Sequence, residues 1–148
     1  MSTVAQLLQE KGHAVWTVAP DAMVYDALSL MAEKNVGALV VVEGARVVGI
    51  LSERDYARKV ILKGRFSKDT QVREIMSDKV YFVRSAQTVE ECMALMTAEH
   101  IRHLPVLEDD QLVGIVSIGD VVKATISEKE FLIAQLENYI TGSGGAKR

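Results

Sequence analysis

Two patterns of apolar and polar positions alternate along the first half of the chain. Short, mostly apolar runs predict strands at Val15–Val18, Leu39–Val42 and Val47–Leu51, because a strand covered on both faces carries few polar residues. Between the first two runs, apolar residues recur at helical spacing, which predicts a helix over Val24–Lys34. A short polar turn separates the two later strands, and a second helix is predicted to begin at Ser52. The predicted order is strand, helix, strand, strand, helix.

The same order recurs 65 residues further along the chain. Residues 15–55 and 80–120 are identical at 13 of 41 positions without a gap, whereas roughly one position in fifteen is expected by chance. The second copy predicts strands at Val80–Val83, Leu104–Leu107 and Leu112–Val116, and helices over Val89–Glu99 and from Ser117. We therefore predict a mixed α/β (α+β) fold of two pseudosymmetric β-α-β-β-α repeats.

Further segments lie outside the repeats. An amphipathic stretch contains Val4, Leu7 and Leu8, a linker is predicted near Gly64–Thr70, and a last helix is predicted over about Glu128–Ile140. The remaining residues are rich in glycine and predict a flexible tail. The predicted boundaries are 8–66 for the first domain, 72–127 for the second, 128–141 for the C-terminal helix and 142–148 for the tail.

The most specific element that the copies share lies where a buried strand meets the following helix. It reads Gly-Ile-Leu-Ser-Glu-Arg-Asp at Gly49–Asp55 and Gly-Ile-Val-Ser-Ile-Gly-Asp at Gly114–Asp120. A serine followed three residues later by an acid is close to a capping box. The free N–H groups of such a helix start also favour a phosphate, and a carboxylate there can accept hydrogen bonds from two ribose hydroxyls. Capping and ligand binding are compatible, so both interpretations stay open.

On this repeated Gly-Ile-x-Ser-x-x-Asp signature, the chain resembles the CBS (cystathionine-β-synthase) domain family over about residues 8–126. The stretch Ser52–Lys59 is similar to small stand-alone bacterial members. The resemblance implies one disc-like module with a cleft on each side, in which family members bind AMP, ADP, ATP, NAD or S-adenosylmethionine. Such pairs usually regulate an attached or partner protein. The implied function is therefore a regulatory, signal-transduction module that senses energy or redox state and acts on an unidentified partner.

The resemblance also implies roles for individual residues. Asp55 and Asp120 would bind ribose, and Ser52 and Ser117 would place hydroxyls near ribose or phosphate. Adenine would be lined, largely through backbone groups, by the segments at Thr17, Ala38, Phe82 and His103. The complete implied nucleotide-binding set is Thr17, Ala38, Ser52, Arg54, Asp55, Phe82, Arg102, His103, Ser117 and Asp120.

The two implied clefts differ in basic residues. Arg102-His103 matches positions where family members place basic side chains against phosphate, but the first copy has Gly37-Ala38 there. Arg54 is matched in the second copy by Gly119. We expect one tight and one weak site for AMP. A histidine beside an apolar strand is also an ordinary core or edge residue, so a structural role for His103 stays open.

Charge and composition narrow the function classes. With 17 basic and 20 acidic residues the net charge is −3, which argues against a nucleic-acid binder. The single cysteine, Cys92, lies in a helical pattern and is expected to fill the core, which fits a reducing cytosol. No apolar run reaches the roughly 18 residues of a membrane span, so we expect no membrane association and a cytoplasmic location. The three histidines form no metal-binding pattern.

Competing classes remain beside the regulatory module. A nucleotide-processing enzyme would need a nucleophile or an oriented acid–base pair, and we find no such constellation, so we predict no enzyme activity and no catalytic cofactor. An interaction or scaffold protein with vestigial clefts is the other alternative. The apolar helical faces predict a homodimer.

Overall fold

The predicted order of elements is largely present in the computed structural model, which describes residues 2–141. The predicted tail at 142–148 lies outside the described residues. The α-helices are α1 (Val4–Lys11), α2 (Val24–Lys34), α3 (Glu53–Tyr56), α4 (Val89–Glu99) and α5 (Ile118–Thr141). The strands are β1 (Thr17–Val18), β2 (Ala38–Glu43), β3 (Arg46–Ser52), β4 (His103–Glu108) and β5 (Gln111–Ser117). A π-helical turn, Ala57–Ile61, follows α3, and two 3-10 turns lie at Ser67–Asp69 and Val72–Glu74.

The strands of the first copy form a three-stranded sheet in the order β1-β2-β3. Strand β1 runs parallel to β2, with Thr17 opposite Val40, and β2 runs antiparallel to β3, with Ala38 opposite Ser52. The first four residues of β2 are all buried, as an apolar run covered on both faces predicts. This register brings Thr17, Ala38 and Ser52 to the end of the sheet where α3 begins.

Buried side chains from α2, β2 and β3 form one core with side chains from the π-helical turn and from residues 72–75. This cluster consists of Val24, Ala27, Met31, Leu39, Val41, Leu51, Val60, Val72 and Ile75. Each fully buried aliphatic side chain of this kind contributes about 1.5–3 kcal/mol relative to an exposed one. The core therefore fixes the sheet end from which α3 starts.

The glycine of the shared motif has a structural reason in the first copy. A Cβ on Gly49 would lie 2.6 Å from Met76 Sδ and 3.0 Å from the backbone oxygen of Ser77. Residues 76–77 approach this closely because Ile50 N donates to Ser77 O at 3.0 Å and Ser77 N donates to Ile50 O at 2.9 Å. Any larger residue at Gly49 would displace this pairing.

The second copy departs from the prediction at its first strand. The predicted strand Val80–Val83 was wrong, because the structure has only an isolated bridge residue at Val83. Within that run only Val83 is buried, so the covering on both faces that an apolar strand requires is missing. Strands β4 and β5 form a two-stranded sheet. Their turn places Asp109 and Asp110 at positive φ, the backbone that two-residue hairpin turns favour.

The end of the second copy is one helix instead of the two that were predicted. Helix α5 runs without a break over 24 residues, from Ile118 to Thr141. After Gly119 this stretch contains no glycine or proline, so nothing in the sequence interrupts the helix. Residues 131–140 are all exposed.

The described residues divide into two contact units that do not coincide with the two copies. One unit comprises the chain up to Gly12, Val83–Leu104 and the chain from Val116 onward, and the other comprises His13–Phe82 and Pro105–Ile115. Helix α1 therefore belongs with α4 and α5. No helix within residues 2–141 combines the length and apolar character that crossing a bilayer requires.

Helix α1 is fixed to its unit by apolar and polar contacts. Val4, Leu7 and Leu8 are buried, as the amphipathic pattern predicts. At the start of the helix Val4 N donates to Gln87 O at 2.8 Å, and Ser2 Oγ donates to Glu128 Oε1 of α5 at 3.2 Å. These contacts fix the position of α1 and therefore of Lys11 in its last turn.

Candidate functional site

The Ser-x-x-Asp turn of the first copy forms the predicted capping box. Ser52 N donates to Asp55 Oδ2 at 2.9 Å, and Asp55 N donates to Ser52 Oγ at 3.3 Å. Ser52 Oγ also donates to Asp55 Oδ2 at 3.1 Å. The backbone at the start of α3 is anchored to the residue before β2, because Glu53 N donates to Gly37 O at 3.1 Å. The carboxylate of Asp55 therefore has a defined position.

The turn of the second copy repeats this geometry in the other unit. Ser117 N donates to Asp120 Oδ2 at 2.8 Å, and Asp120 N donates to Ser117 Oγ at 3.1 Å. Ile118 N donates to Arg102 O at 2.8 Å, which is the bond equivalent to that between Glu53 and Gly37. The capping interpretation is thus confirmed for both copies. Their carboxylates stay partly accessible, with 18% of the Asp55 and 23% of the Asp120 side chain exposed.

Each carboxylate also has a lysine partner that the sequence analysis missed. Lys59 Nζ lies 3.4 Å from Asp55 Oδ1 and donates to Ile75 O at 3.0 Å. Lys11 Nζ, at the end of α1, lies 2.6 Å from Asp120 Oδ2. Lys59 follows Asp55 by four residues, a helical spacing that could have identified it. Lys11 is 109 residues away from Asp120 in sequence and has no such signal.

The ionisation of Asp120 and His103 reflects this arrangement. Burial acts to raise the pKa of Asp120, but the hydrogen bonds and charge of Lys11 and Ser117 outweigh it and hold that pKa below its usual value. The pKa of His103 is lowered, chiefly by burial and then by the positive charges of Lys11 and Arg102, although Asp120 acts to raise it. His103 is therefore neutral near pH 7 while Asp120 is ionised.

The other predicted residues divide between the two units. Thr17, Ala38, Ser52 and Asp55 lie at one end of the three-stranded sheet, in the same unit as Phe82 and the exposed Arg54. The unit that contains α1, α4 and α5 holds the exposed Arg102, the partly buried His103, Ser117 and Asp120. Phe82 is 41% exposed and does not share a unit with the second-copy residues with which the sequence grouped it.

The single cysteine has a chemically quiet environment. Cys92 is buried in α4, and this burial, followed by the charge of Glu91, raises the pKa of its thiol to about 11. The thiol is therefore protonated at neutral pH and is a poor nucleophile. Among residues 2–141 there is no group of three or more His, Cys, Asp or Glu side chains placed to hold a metal ion.

Comparison with known families finds the same two-fold repeat that the two turns show. The model of the CBS domain matches the chain twice, at residues 3–62 and 72–127. The chain belongs to the CBS-domain family. Proteins with paired CBS domains are regulatory or signal-transduction modules, and this chain carries such a pair.

Similar CBS-domain proteins occur in plants and bacteria. The mitochondrial CBS domain-containing protein CBSX3 of Arabidopsis thaliana is 42% identical over 151 residues, which cover 95% of this chain and 73% of that protein. The structure of a protein with CBS domains from Burkholderia ambifaria is 53% identical, with a TM-score of 0.82, and the match covers 85% of this chain and 95% of that one.

Two further CBS structures differ in what they contain. The CBS domain pair of protein MJ0100 was solved with 5′-methylthioadenosine and S-adenosyl-L-methionine; it is 22% identical, with a TM-score of 0.77 over 86% of this chain and 98% of that one. At that identity the likeness shows the fold alone. A CBS-CP12 protein from bloom-forming cyanobacteria is hexameric; it is 30% identical, with a TM-score of 0.73 over 81% of this chain and 66% of that one.

Proposed function

We propose that this CBS pair binds an adenine nucleotide at its Ser-x-x-Asp turns and regulates a partner protein according to the ligand bound. The observation that carries the proposal is the duplicated turn, in which Asp55 and Asp120 are held by equivalent bonds at a helix start. A carboxylate so placed can accept hydrogen bonds from adjacent ribose hydroxyls. The ligands solved with MJ0100 both contain an adenosyl group, so a protein of this fold can accommodate one. The cytoplasmic location stays a prediction.

The proposal is tested by identifying what the protein carries. Small molecules released from freshly purified protein are analysed by mass spectrometry, and AMP, ADP, ATP and NAD are each added in a thermal-shift assay. We expect at least one adenine nucleotide to be released or to raise the melting temperature, because a ligand that binds only the folded state stabilises it. No release and no shift with any of the four would favour the scaffold protein with vestigial sites. Conversion of a bound nucleotide, detected by chromatography, would instead favour an enzyme.

Because His103 is neutral, the proposed function predicts that AMP affinity depends on pH. If the phosphate of AMP lies near His103, its negative charge raises the histidine pKa, so binding takes up a proton. We expect AMP affinity to rise as the pH falls from about 8 to about 6.5, because the pKa of the free site is below the usual histidine value. Titration calorimetry in two buffers of different ionisation enthalpy measures the uptake. Adenosine, which has no phosphate, serves as the control ligand.

A His103→Gln variant separates this effect from other titrations. Its AMP affinity should lose the pH slope, apart from the change caused by the nucleotide's own phosphate. A slope that is equal in the wild-type protein and in His103→Gln would contradict the phosphate contact of His103.

The assembly predicted from the sequence is a two-fold homodimer, and the exposed apolar side chains of α5 support it as part of the proposal. Large apolar side chains are more than half exposed along this helix: Ile126, Phe131, Ile133, Leu136, Tyr139 and Ile140. Light scattering at micromolar concentration should give the mass of two chains. Leu136→Glu should weaken the association, whereas the neighbouring control Gln135→Glu should not. A monomer with and without nucleotide, or a hexamer, would contradict this prediction.

A further inference from the structure

Both ribose-binding candidates have a lysine partner, although the repeat does not supply one. In the first copy the amine comes from Lys59, in the π-helical turn after α3. The equivalent position in the second copy is Ala124, yet Asp120 pairs with Lys11 from the last turn of α1. Two different segments thus bring an amine to the same carboxylate position. Neutralisation of a partly buried charge would explain a single lysine–aspartate pair. Because unrelated segments supply the lysine in the two copies, the pairing points to a function that both sites share.

We propose that Lys11 and Lys59 determine ligand specificity by moving from the carboxylate to the 5′-phosphate of an entering nucleotide. The inference rests on the proposed function and names the chemical class that these sites select, which is a 5′-phosphorylated adenosine. The lysine holds the carboxylate in the absence of ligand, and the ribose hydroxyls take its place when the nucleotide binds.

The geometry of the ion pairs makes this exchange physically reasonable. Lys59 contacts Asp55 Oδ1, the oxygen that the bond from Ser52 N leaves open, whereas Lys11 contacts Asp120 Oδ2, which also accepts from Ser117 N. A ribose diol that uses both oxygens of the carboxylate therefore competes with the lysine at either site. The lysine side chains are 45% and 31% exposed, so their flexible stems have room to move, and Lys59 must also give up the hydrogen bond that it donates to Ile75 O. A displaced amine that finds no new partner has lost a charge-assisted contact, which disfavours binding.

The exchange therefore separates ligands by the charge of their 5′ group. Adenosine displaces the lysine and offers its amine no anion. AMP offers a phosphate, and the amine then recovers a charge-assisted hydrogen bond. S-adenosylmethionine carries a sulfonium cation next to the ribose, which should be disfavoured further by the same amine. The selectivity for AMP over adenosine thus depends on the lysine as well as on the basic residues Arg102 and His103.

The test measures AMP and adenosine binding at the Asp120 site while binding at the Asp55 site is weakened. Calorimetric titrations are carried out on the full chain with Asp55→Ala, with and without Lys11→Met. Methionine keeps most of the length of the side chain without its charge. We expect Lys11→Met to lower AMP affinity about tenfold or more and to leave adenosine affinity unchanged or increased, so that the AMP-to-adenosine ratio falls at least about tenfold. Lys11→Arg should keep most of the preference.

Lys34→Met is a matched control. Lys34 also ends a helix, also pairs with a carboxylate, and has the same 31% side-chain exposure as Lys11. It should leave the ratio unchanged. If Lys11→Met does not fold, Lys59→Met in an Asp120→Ala chain makes the same measurement at the other site.

The possible failures are distinguishable. An unchanged ratio in the lysine variant, or equal losses for AMP and adenosine, overturns the exchange while the proposed function stands. A wild-type chain that binds neither compound overturns the proposed function, and this inference with it.

Discussion

Replacing Arg102 by alanine is expected to weaken AMP binding about ten- to hundred-fold while changing adenosine binding little. This loss corresponds to the free energy of a desolvated arginine–phosphate contact. The Arg102 side chain is exposed beside His103, at the start of β4. Its backbone oxygen accepts the hydrogen bond from Ile118 N, and alanine preserves that bond. The substitution therefore removes the charge without removing the anchor of α5.

Titration calorimetry with AMP and adenosine measures this effect. Arg46→Ala is a suitable control, because Arg46 is an exposed arginine at the opposite end of the β2-β3 hairpin from Ser52. Since the first copy has Gly37 and Ala38 at the equivalent positions, wild-type protein should show one tight and one weak AMP site. Two identical sites, or equal losses for both ligands in Arg102→Ala, would show that the sites do not differ in this way.

Removing either turn acid should reduce ligand affinity more than stability. Asp55→Ala and Asp120→Ala should each weaken the binding of an adenosine ligand by roughly 1–3 kcal/mol, because the ribose hydroxyls lose their acceptor. The lost bond from the serine N–H should cost only about 1 kcal/mol of unfolding free energy, as for other capping interactions. Calorimetry gives the first quantity and chemical denaturation gives the second.

Helix α4 supplies a matched control for the capping contribution. Thr88 N donates to Glu91 Oε1 at 2.8 Å in a capping box of the same kind. Glu91→Ala should therefore lower stability by a similar amount and leave ligand affinity unchanged. If Asp120→Ala behaves in the same way as Glu91→Ala, the acid has a capping role only and the ribose role is lost for that copy.

The parts of the fold that the sequence predicts well are those determined by local spacing. Helices α2 and α4 have the predicted bounds, because a full apolar stripe and short flanking turns define each of them. Both capping boxes were also predictable, since all their bonds join residues three apart. The predicted strand Val80–Val83 failed because apolar composition alone does not show whether a neighbouring strand covers it.

The site is less predictable than the fold for the same reason. The acids and serines belong to a contiguous motif, and their positions follow from it. Lys11 reaches Asp120 only because α1 lies in the same unit as α5, tied at its other end by Ser2 and Glu128. No local pattern carries that information. Likewise, the register that aligns Thr17 and Ala38 with the first turn depends on pairing between separate strands.

The buried cysteine gives this protein a built-in reporter of local unfolding. A thiol-labelling reagent can modify Cys92 only when α4 moves away from its neighbours, because the folded state both covers the sulfur and suppresses its thiolate. With one cysteine in the chain, the labelling rate follows a single opening event. Cys92 and Asp120 lie in the same unit, so a nucleotide bound at Asp120 should slow the labelling by the factor by which it lowers the population of the open state. Ligand occupancy can thus be followed without an attached dye or an engineered probe.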